Sequence, residues 1–179
     1  MFFDWLISAN HIFSLIAVME RLLNKTNKEL NDIIFDGTDE VLRNRAIEKL
    51  LMQEPTNDEL ANIIKNHRDY SLRNRFAERL MLQNPTNREL AVIIAHCGEV
   101  TLCKIGWEKL EQQNPSKDNL TYVIRTCSFA DVRHLAWERL MELSPTEAEL
   151  SLIIACCSHR DLRKEVEEAL GTLISKSIK

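Results

Sequence analysis

Turn-forming residues are scarce in this chain. Four glycines and four prolines among 179 residues leave little material for hairpins, bulges or long loops, which favours helix. Basic charge is not in excess either. The formal net charge is −4 with an isoelectric point near 5.8, whereas a nucleic-acid partner calls for a basic face. Clean apolar runs are also missing. The most apolar stretch, MFFDWLISANHIFSLIAVMERLL, carries Asp4 early and is interrupted by Asn10 and His11. It has no basic leading region, so it reads as packed structure and not as a signal peptide or a membrane span. No Gly-rich phosphate loop, HExxH, GxSxG or paired CxxC occurs. Five cysteines, an odd number, show no paired framework and point to a reducing cytoplasm. The expectation is therefore a protein that is not an enzyme and carries neither metal nor cofactor.

What is present is periodic. The chain is 45% hydrophobic and 28% charged, which argues against disorder. All four prolines fall on one ruler, at Pro55, Pro85, Pro115 and Pro145. They divide the chain into five units, 25–54, 55–84, 85–114, 115–144 and 145–174. Each unit opens on a capping residue: Thr26, Thr56, Thr86, Ser116 or Thr146. Three residues later Glu29, Glu59, Glu89 and Glu149 are spaced to bond back to the cap, while the fourth unit has Asn119 there instead. Each proline stops the helix before it and restricts the residue ahead of it.

Two helices per unit follow from the apolar spacing. The first carries Leu30, Ile33 and Ile34 and their equivalents, ending with Leu150, Ile153 and Ile154. The second carries a stripe at i, i+4 and i+8, as in Leu42, Ala46, Leu50 and in Leu102, Gly106, Leu110. Small residues at Ala46, Gly106 and Ala136 would let neighbouring helices approach closely. A helix pair of this size cannot bury both stripes alone, so the units must stack. The expected fold is all-α, a right-handed α-solenoid of five stacked helix-pair repeats in one structural domain. Residues 1–24 are expected to form an N-terminal helical cap, with a short polar tail after the last repeat.

The second helices repeat [VL]RxxAxxxL, as in Leu42-Arg43, Ala46, Leu50 and in Val132-Arg133, Ala136, Leu140. This pattern resembles the armadillo-like HEAT-like repeats of bacterial proteins, in their short form of about 30 residues, over 25–174. The chain departs from the pattern at Cys103, where the repeated arginine should stand. The resemblance implies the solenoid fold. It leaves function open among scaffolds, inhibitors, chromophore-lyase partners and DNA-lesion glycosylases.

Three ladders of chemically active residues run through the repeats. His67, Cys97, Cys127 and Cys157 share one place at the end of the first helices, with Cys156 beside the last. Stacked helices lie about 8–10 Å apart, too far for ladder members to converge on one zinc ion or to pair as disulfides. They read as small, semi-buried residues. Arg43, Arg73, Arg133 and Arg163 form a second ladder, expected to bond carbonyls and acids of a neighbouring inter-helix turn. Glu48, Glu78, Glu108, Glu138 and Glu168 form the third, read as a solvated face with Arg45–Glu48, Arg75–Glu78, Lys104–Glu108 and Lys164–Glu168 pairs.

Stacking explains only what recurs, so function is sought where the repeats disagree. Trp107 and Trp137 share a position held by Ile47, Ala77 and Glu167 in the other units. Tyr70, Tyr122 and Phe129 are further irregular aromatics. The tryptophans either fill core space beside Gly106 and Ala136 or form an aromatic strip for a partner. In the second case the site comprises Trp107, Trp137, Lys104, Glu108, His134, Glu138 and Tyr70 on the second helices. The expected function is a non-catalytic protein-binding scaffold, either an adaptor or an immunity-type inhibitor. Its partner is another protein or a peptide, with no nucleic acid and no membrane.

Overall fold

A computed structural model of the chain describes residues 17–177. All regular structure in that range is α-helical. Most of the expected cap over 1–24 lies outside the described residues; within it, residues 17–22 are helical. The chain divides into two compact units, residues 1–56 and 57–179. That division falls at the head of the second repeat, where the sequence period itself marks no break.

In the first unit, α1 (Asn27–Asp36) packs against α2 (Glu40–Met52). Leu30 and Ile34 meet Leu42, Ala46, Ile47 and Leu50 in its core, with Val18 and Leu22 also buried. Lys49 Nζ donates to the carbonyls of Leu22 and Leu23, and Gln53 Nε2 donates to the Lys25 carbonyl at 3.2 Å. These bonds tie the end of α2 back to the residues that lead into its own repeat.

The second unit holds α3 (Asn57–Asn66), α4 (Tyr70–Met81), α5 (Asn87–His96), α6 (Val100–Gln112), α7 (Lys117–Thr126), α8 (Ala130–Glu142), α9 (Glu147–Cys156) and α10 (Arg160–Ser177). They pack as consecutive pairs, α3 with α4 through α9 with α10. The i, i+3, i+4 and i, i+4, i+8 stripes are the core, as their spacing requires, except that Ile154 and Leu170 of the last pair are only half-buried. Between pairs, the first helices α3, α5 and α7 press against one another far more closely than the second helices do. Small side chains on that layer, Ala91 and Thr121, are buried there and permit the approach. The first helices thus form the inner layer of this unit, and the second helices the outer one.

Local chemistry sets the helix limits. Thr26, Thr86, Ser116 and Thr146 all close capping boxes. Asn119 serves as well as glutamate, accepting from the Ser116 backbone N–H at 3.2 Å. Asp39 and Asp69 cap α2 and α4 through their carboxylates, whereas α6 and α8 begin at Glu99 and Phe129 without a side-chain cap bond. At the other end of each of the first four pairs the chain turns on a single residue. Glu54, Asn84, Asn114 and Ser144, each directly before a proline, have φ between 51° and 54°. The proline forbids the right-handed helical conformation ahead of it, and a left-handed residue redirects the chain into the next repeat.

Asparagine tolerates that conformation better than glutamate or serine, whose Cβ crowds the following carbonyl. Ser144→Asn is accordingly expected to raise stability by about 0.5–1 kcal/mol, and Glu54→Asn by a similar amount. Denaturant titration of the two variants against the parent checks this, and an unchanged midpoint in both would count against strain at these turns.

Candidate functional site

The inner layer of the second unit carries a groove of about 670 Å³ across α3, α5 and α7. Its floor, and the surface beside it, follow from helical geometry. Positions 62, 92 and 122 lie one above another on successive helices, as do 66, 96 and 126. They stand beside the apolar stripe but face away from it, so repeat packing does not dictate their identity. The first row reads Asn62, Val92, Tyr122 and the second Asn66, His96, Thr126. Asp58, Glu89 and Asp118 lie near the helix starts, and Lys65 and Arg125 near the helix ends, as the helix dipole favours.

Hydrogen bonds order much of this surface. Asn66 Nδ2 donates to Asn62 Oδ1 at 2.7 Å, which fixes both amides. Asn57 Nδ2 donates to Glu89 Oε2 at 3.0 Å, and the same carboxylate takes the Thr86 N–H at 2.6 Å. His96 Nε2 and the Tyr122 hydroxyl share a hydrogen bond of 2.7 Å. Burial lowers the His96 pKa to about 4, with Arg73 and Lys65 adding repulsion toward its charged form. Burial also raises the Tyr122 pKa, against the pull of Arg125 and Arg88. The pair is thus neutral at physiological pH, although cations stand near both of its members. The arrangement offers amide, hydroxyl and imidazole groups for hydrogen bonding. No cluster of three or more His, Cys, Asp or Glu among the described residues is placed to hold a metal. No helix among them is long and apolar enough to cross a membrane.

The residues singled out on the second helices separate into two sets. Trp107 and Trp137 are only 4% and 7% exposed, so they are core and do not form a strip for a partner. Their position adjoins the buried stripe, and Ile47 and Ala77 occupy it as core residues in other repeats. Gly106 beside Trp107 faces Ile94, Met81 and Ile93. Lys104, Glu108 and Glu138 are exposed, and His134 is half-buried with its Nδ1 3.9 Å from a Glu165 carboxylate oxygen. Between these polar residues stand Ile105 and Leu135, 43% and 42% exposed. Other repeats place Arg45, Arg75 and Glu165 there. Tyr70 is 60% exposed at the inter-helix turn, its ring 4.8 Å from the Arg73 guanidinium. Gly98 of the next repeat backs onto Tyr70 so closely that an added Cβ would lie 2.9 Å from the Tyr70 Cβ.

The ladders resolve in structural terms. Arg43, Arg73 and Arg133 bond the carbonyls of Gly37, His67 and Cys127, each six residues earlier in the same repeat. Arg73 also reaches the His96 carbonyl of the next repeat at 3.3 Å. The expected neighbouring turn is therefore met by Arg73, and the repeat's own turn is the commoner target. Arg45–Glu48 and Lys164–Glu168 form ion pairs. Cys97, Cys127 and Cys157 are buried at the ends of first helices, as a small apolar position requires. Cys103, off the ladder, sits between two of its members, with its Sγ 3.7 Å from Cys127 Sγ.

Sequence reasoning missed Asn62, Lys65, Asn66, Arg88 and His96. The signal available was the disagreement of the first helices beside their regular stripe of Leu, Ile and Val, of which only Tyr122 was noticed. No family model matches the chain, and comparison with curated proteins and with solved structures finds no significant match.

Proposed function

We propose that this chain is a non-catalytic, HEAT-like repeat scaffold that binds an extended segment of another protein across α3, α5 and α7. In this reading the helix pairs are five repeats of a right-handed α-solenoid, and the protein acts in the bacterial cytoplasm as an adaptor or an immunity-type inhibitor. The observation that carries it is the groove itself. Its lining changes from repeat to repeat, Asn62 to Val92 to Tyr122, and the row beside it changes from Asn66 to His96 to Thr126, while the residues behind stay Leu, Ile or Val. An extended peptide presents unpaired N–H and C=O groups that need partners. Asparagine amides supply donor and acceptor together, and Tyr122 adds an aromatic surface of the kind that dominates interface energies.

Affinity capture from native cell extract tests the reading. Tyr122→Ala is expected to weaken retention of the captured protein about tenfold or more, or ~1.4 kcal/mol, while the helical circular dichroism is kept. Unchanged capture by Tyr122→Ala and by an Asn62→Ala, Asn66→Ala double variant would place the contact elsewhere. A second reading rests on Ile105 and Leu135, apolar and exposed where other repeats are charged. Loss of capture by Leu135→Glu, with the groove variants unaffected, would move the partner to the second helices among Lys104, Glu108, His134 and Glu138.

A further inference from the structure

Repeat 85–114 differs from its neighbours at one buried position. Where Arg73 and Arg133 reach a turn carbonyl, this repeat has Cys103. The shorter side chain stays inside, fully buried, with Sγ 3.4 Å from the Ile94 carbonyl oxygen and 3.7 Å from Cys127 Sγ. Cys127 caps the end of α7 in the next repeat and is equally buried. The two thiols are distant in sequence and belong to different repeats. Closing them to a bond needs less than 2 Å of approach, since a disulfide is about 2.05 Å long. Side-chain rotation on a helix end covers much of that distance.

We propose that Cys103 and Cys127 are an oxidisable pair that closes into an intramolecular disulfide joining repeats 85–114 and 115–144, with hydrogen peroxide as the oxidant. Cys127 is the sulfur that reacts first. The adjacent Cys103 thiol and the nearby Arg133 guanidinium both hold its pKa down, while Cys103 itself keeps its proton. Peroxide transfers an oxygen to the Cys127 thiolate, giving the sulfenic acid and releasing water once a proton is taken up. The Cys103 sulfur then attacks that sulfur; the S–S bond forms, the S–O bond breaks, and a second water leaves with the Cys103 proton. In sum, two thiols and one peroxide give one disulfide and two waters. Burial of both sulfurs makes oxidant entry depend on local opening between α6 and α7, so the reaction is slow. Once made, the bond ties together the pair of repeats that carries Val92, His96 and Tyr122. The inference stands independently of the partner.

The test uses the reduced full-length chain carrying Cys156→Ser, which silences the exposed thiol. The protein is treated with hydrogen peroxide, the remaining thiols are alkylated in denaturant, and the peptides are mapped by mass. The expected result is a crosslinked Cys103–Cys127 peptide from monomeric protein and an unfolding temperature raised by several degrees, both reversed by dithiothreitol. Cys103→Ser should abolish both. Should that variant fail to fold, the peptide map of the Cys103-containing protein still decides. A Cys97–Cys103 crosslink, intermolecular disulfides only, sulfinic acids without a crosslink, or a crosslink with no rise in unfolding temperature would overturn the proposal.

Discussion

Replacing Trp107 with alanine is expected to cost about 3–5 kcal/mol of stability, among the largest effects of any single change in this protein. The indole lies in the second unit's core, next to Gly106 and the stripe of Leu102 and Leu110. Truncation removes its apolar burial and leaves a cavity that neighbouring helices, held by their own packing, can only partly close. Trp137→Ala should behave alike, since Trp137 holds the same position one repeat later. Urea titration followed by circular dichroism at 222 nm measures the loss. A cost below about 1 kcal/mol would mean that the indole is not packed as described. The choice between core filling and partner binding at these tryptophans is thereby made by stability, because a surface hot spot would leave the unfolding midpoint almost unmoved.

Lowering the pH from 7 to 4.5 is expected to weaken the fold through His96 by about 1–3 kcal/mol, after allowance for partial exposure. The folded pKa of this imidazole is about 4, depressed from the ordinary 6.5 first by burial and then by Arg73 and Lys65. The unfolded chain therefore binds the proton more readily than the folded one between those two values. Stability is fully present above the unfolded pKa and falls away as the pH drops through the window toward the folded pKa. Tyr122, hydrogen-bonded to His96 and flanked by Arg88 and Arg125, supplies no negative charge to relieve the imidazolium. His96→Gln retains a hydrogen-bonding group but removes the titration. The difference in unfolding free energy between parent and His96→Gln should therefore shrink or reverse as the pH falls. A difference that stays constant across the window would show that His96 charges freely in the folded state.

Much of this architecture was legible residue by residue. Capping boxes, proline stops and apolar spacing are local signals, set by neighbours within about four residues along the chain. Leu30, Leu60, Leu90, Leu120 and Leu150 are buried for the reason their spacing states. The candidate site was less legible. Tyr122 could be noticed as an irregular aromatic, yet nothing local shows that it meets His96, which lies 26 residues away. That contact exists only because first helices of successive repeats lie side by side.

By itself, the sequence determined the helices, their limits, their buried stripes and the repeat that spaces them. All of these depend on periodicity and on backbone chemistry within a turn or two. Only the tertiary structure decided which helix layer is inner, that Trp107 and Trp137 point into the core, and that Cys103 meets Cys127. Each of these turns on how one helix pair lies on the next. A side chain one step off the stripe is covered or free according to the neighbouring repeat, and no spacing within its own helix records which.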